Sequence, residues 1–206
     1  CNFNQGYKIT PSVFARWMRI LKDVDGSVLW LLKSKPVFEA NLSQEAERHG
    51  VASRRLIFAA SLPPDQHLAR LKQADLFLDT LPYNAHTTAS DALWAGLPLL
   101  TCRGTTFPGR VAASLLGAIG MPELVTESLD DYEALAIRLA RNADELGDLK
   151  RKLAQNRLTT PLFDTDLFRK NVENAYTAMW EALKRGEAPK SFAIAPWELA
   201  SGEPLI

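Results

Sequence analysis

Ala74-Asp-Leu-Phe-Leu-Asp79, Thr80-Leu-Pro-Tyr-Asn-Ala85, His86-Thr-Thr-Ala-Ser-Asp-Ala-Leu-Trp-Ala95, Gly96-Leu97 and Pro98-Leu-Leu-Thr101 read in that order as strand, loop, helix, stop and strand. The opening run is mostly apolar and strand-sized, with turn-forming residues after it. The third run has helical length and stops at Gly96, the residue that most easily adopts the left-handed conformation required just past a helix C-terminus. Connections this short favour parallel neighbouring strands joined by a right-handed crossover. In such a sheet ligands bind beyond the carboxyl ends of the strands, where the loops gather.

The same alternation extends outward from this stretch. Upstream, Pro63-Pro64-Asp65 opens a helix over Gln66 to Gln73, preceded by a short strand at Arg55 to Ala59 and a helix around Leu42 to His49 that closes at Gly50. Ser27 to Lys33 is apolar at nearly every position, as expected of a central strand covered on both faces. Thr10 followed by Pro11 is an N-cap with proline at the first helical position, and Phe14, Trp17, Met18 and Leu21 recur at helical spacing toward Lys22. Downstream, the sheet is expected to end at Thr101. Helical patterns follow at Arg110 to Leu116, Leu129 to Asn142, Leu146 to Leu158 and Asp166 to Lys184. The expected fold class is α/β, a Rossmann-like parallel sheet with helices on both faces, followed by C-terminal helices. The pattern gives one domain over residues 1–185. Residues 186–206, rich in Pro, Gly and small side chains, read as an extended tail that packs on another domain.

Composition removes several function classes. Lys and Arg number 24 against 24 Asp and Glu, so no overall cationic field exists to hold nucleic acid or an anionic membrane. The densest basic run, Lys150-Arg151-Lys152, lies in a helical pattern and reads as a solvated face. No apolar run approaches the roughly 18 to 20 residues needed to span a bilayer. The N-terminus lacks the charged and apolar regions of a signal peptide and has no initiator Met, so a fragment of a longer chain is expected. Cys1 and Cys102 alone make neither a disulfide framework nor a zinc site, which points to a reducing, cytoplasmic setting.

Chemistry is expected near the start of the helix at His86. A helix N-terminus has free N–H groups and a partial positive charge. With the hydroxyls of Thr87 and Thr88 and the imidazole of His86 it makes a receptor for phosphate or diphosphate. Asp91 would then accept from ribose hydroxyls. The alternative reading is that Thr87 or Thr88 merely caps the helix and Asp91 favours its first turn. Gln5 and Lys8 precede the first helix at the same expected edge, where Lys8 is either a solvated loop lysine or the cation that neutralises a departing diphosphate. His67 is either a surface histidine or a group that stacks on a base. P-loop, dinucleotide, zincin and nucleophile-elbow motifs are missing from the sequence. The pairs Asp23/Asp25 and Asp164/Asp166 lie away from the ligand edge, so no metal is expected.

CNFNQGYKITP (1–11), SVLWLLK (27–33), LPPDQHLAR (62–70), the opening stretch (74–101), RVAASLL (110–116) and TTPLFDT (159–165) occur together in one order. This combination resembles the C-terminal catalytic half of the O-linked N-acetylglucosamine transferase family, with its bacterial and SPINDLY-like members, over almost the whole chain to about Leu183. The resemblance implies half of a GT-B enzyme, in which two Rossmann-like halves enclose a UDP-sugar. It also implies upstream tetratricopeptide repeats that hold a polypeptide acceptor. It assigns Gln5 and Lys8 to the diphosphate, with Lys8 catalytic in stabilising the leaving UDP. His67 falls near the nucleotide, His86, Thr87 and Thr88 over uridine and phosphates, and Asp91 on ribose. Pro64 stands where animal members place a lysine and Ala85 replaces a glycine, two departures that bear on base and ribose contacts. The implied reaction is inverting, metal-independent transfer of N-acetylglucosamine to Ser or Thr, with no cofactor. A GDP-fucose donor, as in SPINDLY-like members, and a non-catalytic nucleotide-sugar module are the alternatives.

Overall fold

The computed structural model describes residues 1–194. Contacts divide the chain into two compact units, Cys1–Arg157 and a second that begins at Leu158. In the first unit, helix α1 (Pro11–Asp23) is followed by strand β1 (Leu29–Leu32), α2 (Pro36–Arg48), β2 (Leu56–Ala59), α3 (Pro64–Leu71) and β3 (Phe77–Leu78). It continues through α4 (Thr87–Ala95), β4 (Leu99–Cys102), α5 (Val111–Ala118), β5 (Val125–Thr126), α6 (Leu129–Arg141) and α7 (Ala143–Asn156). The second unit contains α8 (Thr165–Lys184), capped by the Asp164 carboxylate, which accepts from Leu167 N–H at 2.8 Å. Residues 187–194 of the expected tail have no regular secondary structure, and 195–206 lie outside the described residues.

Among the described residues all strand pairings are parallel: β1 with β2, β3 with β4, and β4 with β5. Cys1–Phe3 links the two groups. Asn2 bridges Leu31 in parallel, Asn2 N–H donates to the Trp30 carbonyl at 2.8 Å, and Leu78 N–H donates to the Cys1 carbonyl at 2.8 Å. Counting this segment as the first strand, the order across the sheet is third, second, first, fourth, fifth, sixth, the order of doubly wound nucleotide-binding sheets. The expected end of the sheet at Thr101 is therefore wrong, because β5 pairs beyond β4 at Thr101–Val125 and Cys102–Thr126. A two-residue strand has too little apolar pattern to announce itself.

Helices cover both faces of β4, whose four residues are all buried. On one side Leu78, Leu100 and Cys102 join Phe14, Trp17 and Met18 of α1 and Tyr132 and Ala136 of α6 in a single apolar cluster. Side chains alternate along a strand, so Leu99 faces the opposite way, toward the side where α4 and α5 contact β4. β1 is interior, as its apolar run suggested, yet only Leu29 and Leu31 are fully covered and Trp30 and Leu32 are half-buried. At the core centre the Trp17 indole donates to the Tyr132 hydroxyl at 3.0 Å, which donates to the Asp79 carbonyl at 3.0 Å. That chain ties the packed interior to the loop leaving β3.

Helix boundaries mostly follow local chemistry. Thr10 caps α1 with Pro11 at its first position, and Gly96 ends α4 with φ of +86°. α2 begins at Pro36, six residues before the expected Leu42, because Pro36 sits at the first helical position after Lys35. Lys150 is half-buried and Arg151 and Lys152 are exposed, and they pair separately with Asp75, Asp148 and Glu123, in keeping with a mostly solvated face. No described helix is long and apolar enough to cross a membrane.

Candidate functional site

A doubly wound sheet opens a crevice where its order reverses, because the loops leaving the two strands on either side run apart. Here that point lies between Cys1–Phe3 and β3, and the two loops are Asn4–Thr10 and Asp79–His86.

Asp79 organises both. Its side chain is 2% exposed. One carboxylate oxygen accepts from Thr80 N–H and Ala85 N–H, each at 2.7 Å, and from the Asn4 amide at 3.4 Å. The other accepts from the Thr101 hydroxyl at 2.7 Å. Burial pushes the Asp79 carboxyl up to about 6, against the downward pull of these four hydrogen bonds. Asn4, also buried, donates to the Thr80 hydroxyl at 3.0 Å and accepts from the Thr88 hydroxyl at 2.6 Å. A carboxylate on one loop is thus connected through Asn4 of the other to the first turn of α4.

Lys8 is 9% exposed, which overturns the reading of a solvated loop lysine. Its ammonium donates to the Asn84 carbonyl at 2.9 Å and lies 4.0 Å from the centroid of the Tyr83 ring. An ammonium has three donors, and among the described residues one of them is used. Burial lowers the Lys8 pKa and the nearby Asp79 charge raises it. The Tyr83 ring centroid is in turn 5.0 Å from that of His86, the N-cap of α4. His86 supplies no capping hydrogen bond; its Nε2 lies 3.3 Å from the Pro108 carbonyl. Neither Thr87 nor Thr88 is the cap, and Asp91 lies beyond the first turn, so the simple capping alternative does not hold.

The third part of the site is the contact between α3 and α4. His67 Nδ1 lies 2.6 Å from Arg70 Nη2, and its ring meets Phe3 edge-on at 5.4 Å. Burial and then Arg70 lower the His67 pKa, whereas Asp91 raises it; Asp91 itself is raised by burial and lowered by His67. Arg70 is 8% exposed, sits over the Phe3 ring at 4.3 Å, and donates to the Ala60 carbonyl at 2.6 Å. Its Nε is buried without a partner, an unusual cost for a guanidinium.

Residues 1–172 match the model for Glycosyl transferase family 41. The chain belongs to this family. A Caenorhabditis elegans UDP-N-acetylglucosamine–peptide N-acetylglucosaminyltransferase is 36% identical over 186 residues, covering 90% of this chain and 16% of that protein. An Arabidopsis thaliana relative named "Probable UDP-N-acetylglucosamine–peptide N-acetylglucosaminyltransferase SEC" is 39% identical over 193 residues, covering 93% of this chain and 20% of its own length. Among solved structures, a mutant of the Thermobaculum terrenum O-GlcNAc transferase superposes with a TM-score of 0.82 at 34% identity, over 87% of this chain and 35% of that one. The fold is thus the α/β fold of the GT-B O-GlcNAc transferases. The chain spans about a fifth or less of these two curated relatives.

In this member of glycosyl transferase family 41, the switch point brings together Lys8, His86 and Thr88, and α3–α4 packing brings together His67 and Asp91. Gln5 and Thr87 are exposed, and no hydrogen bond fixes the Gln5 side chain as N-cap of its short turn. Sequence reading missed Asn4, Asp79, Tyr83 and Arg70. Two buried asparagines in CNFN, at a strand that carries little apolar pattern, were the available signal for Asn4. Among the described residues no cluster of three or more His, Cys, Asp or Glu side chains is arranged to hold a metal ion.

Proposed function

We propose that this chain is the nucleotide-sugar-binding half of an inverting glycosyltransferase that moves N-acetylglucosamine from UDP-N-acetylglucosamine to Ser or Thr of proteins. The observation that carries this reading is Lys8, a buried ammonium with donors to spare, tied through Asn84 and Tyr83 to the start of α4. The names of the relatives supply the donor and acceptor.

In the proposed reaction the acceptor oxygen bonds to the anomeric carbon from the face opposite the diphosphate. The bond from that carbon to the β-phosphate oxygen breaks, and its electron pair leaves with UDP. Lys8, the Thr87 and Thr88 hydroxyls and the α4 N-terminus answer the growing negative charge, so no metal is invoked. His67, Arg70 and Asp91 hold the nucleoside, with Asp91 on ribose, and Gln5 lies along the diphosphate. The acceptor proton passes to water, to the donor phosphate or to a base outside this chain. A second α/β half and tetratricopeptide repeats, both upstream, position the polypeptide.

The test is transfer of radiolabelled sugar to an acceptor peptide by the full-length protein. Transfer from UDP-N-acetylglucosamine is expected. UDP binding without transfer would replace the reading with a nucleotide-sugar sensor, and transfer from GDP-fucose alone would replace the donor.

A further inference from the structure

The loop after β4, Arg103 to Arg110, meets the donor site described above only through backbone at Pro108 and the Phe107 ring, and none of its charged side chains has a role there. It folds on itself through Gly104 N–H to the Gly109 carbonyl at 2.7 Å and Gly109 N–H to the Thr106 carbonyl at 3.0 Å. It docks on the donor loop through Asn84 N–H, which donates to the Pro108 carbonyl at 2.9 Å. A Cβ at Gly109 would lie 2.8 Å from the Pro82 carbonyl oxygen and 3.1 Å from Gly104 Cα, so the two backbones pack at a distance that only glycine permits.

With the first turns of α5 this loop bounds a cavity of about 850 Å³ lined by Arg103, Thr105, Phe107, Arg110 and Ser114. Phe107 is 80% exposed, and its ring meets that of His86 edge-on at 6.2 Å, which puts the cavity next to the donor loop. Arg110 is exposed and its side chain pairs with no group among the described residues. Among the described residues Arg103 pairs with Glu127, at 3.2 Å, and both side chains are exposed. Such a pair contributes little, so an incoming carboxylate displaces Glu127 at small cost. The lining contains no carboxylate.

We infer that this cavity receives an acidic stretch of the polypeptide acceptor, with Arg103 and Arg110 meeting its carboxylates and the Phe107 ring lying against its backbone. The inference rests on the transferase reading. The donor's charges are already answered by Lys8 and the α4 N-terminus, and the acceptor must lie beside the donor loop. One unpaired cation and one held by a weak, displaceable pair select an anionic second substrate there.

The test uses the full-length protein with bound UDP and three fluorescent peptides that share one Ser and carry flanking Glu, Gln or Lys. Anisotropy reads binding, and kcat/KM reads transfer. The wild type should favour Glu over Gln by about tenfold, a preference that shrinks with salt. Arg110→Ala should reduce that preference about fivefold. Arg110→Glu should reverse it in favour of Lys, a gain that a misfolded variant cannot show. UDP affinity should be the same in all three proteins. Equal binding of the Glu and Gln peptides, an unchanged order in Arg110→Glu, or weaker UDP binding by either variant would overturn the inference. Charge-ordered binding with no transfer to any peptide would remove the transferase reading and leave the acidic-polypeptide site in place.

Discussion

The loops that leave the first and fourth strands bury their charges, whereas the loop that leaves the fifth displays its own. Lys8 and Asp79 are almost wholly enclosed and hydrogen-bonded to backbone and to Asn4, and the rings of Tyr83 and His86 follow in sequence toward α4. On the loop that meets His86 through Phe107, Arg103 and Arg110 are exposed, the first loosely paired with Glu127 and the second with no side-chain partner among the described residues. Fixed dipoles and buried charges cost stability, and they suit a group whose developing charge must be met without rearrangement. Exposed, exchangeable arginines suit a partner that varies. Under the proposed function, the first pair of loops is a preorganised donor side and the third loop an adaptable acceptor side.

The largest expected effect lies on the donor side. Lys8→Met in the full-length enzyme should lower kcat by about 100- to 1000-fold, or ~2.7 to 4 kcal/mol, with a much smaller change in UDP affinity. Unchanged turnover in a steady-state assay would break the contrast by making Lys8 structural.

Asp79 gives the next effect, in stability. Its carboxyl is pushed up to about 6 from an ordinary 3.8, chiefly by burial. The folded value lies above the unfolded one, so stability tied to this group is complete below pH 3.8 and is lost as pH rises through about 6. Asp79→Asn has no such proton to lose. Wild type should therefore lose about 3 kcal/mol of unfolding free energy relative to the variant between pH 3 and pH 7. Denaturant titrations at several pH values measure this, and a flat difference would mean that the hub is not an enclosed ionisable group.

How much of this was legible in the sequence varied with the length of each signal. α1, α4 and the strands flanking α4 carried periodicity, caps and Gly96, all local features, and their positions came out within a few residues. Cys1–Phe3 and β5 did not, because each is a few residues long and is defined by partners far away in the chain. The roles of Lys8, His86 and Asp91 were suggested by spacing and resemblance. Asp79 read only as the last residue of a strand. Nothing in LFLDT says that the carboxylate turns inward to collect Thr80, Ala85, Asn4 and Thr101, since burial of a charge depends on donors that the fold brings from elsewhere.

Smaller effects sharpen the donor side. Asn4→Ala leaves Thr88 and Asp79 each short of a partner and should cost about 2 kcal/mol of stability, with weaker UDP binding because the first turn of α4 loses its tether. Calorimetry with unaltered UDP affinity would show that the tether serves folding alone. Asp91→Ala should weaken UDP binding by about tenfold with little change in kcat, as expected when a ribose contact is equal in ground and transition states. Equal affinity would assign Asp91 to the electrostatics of His67 only.

The direct test of the account is a crystal structure of this chain with bound UDP. The diphosphate should lie within hydrogen-bonding distance of the Lys8 ammonium and of the backbone N–H groups of Thr87 and Thr88. A diphosphate seated between Arg103 and Arg110, with the Lys8 side empty, would contradict it.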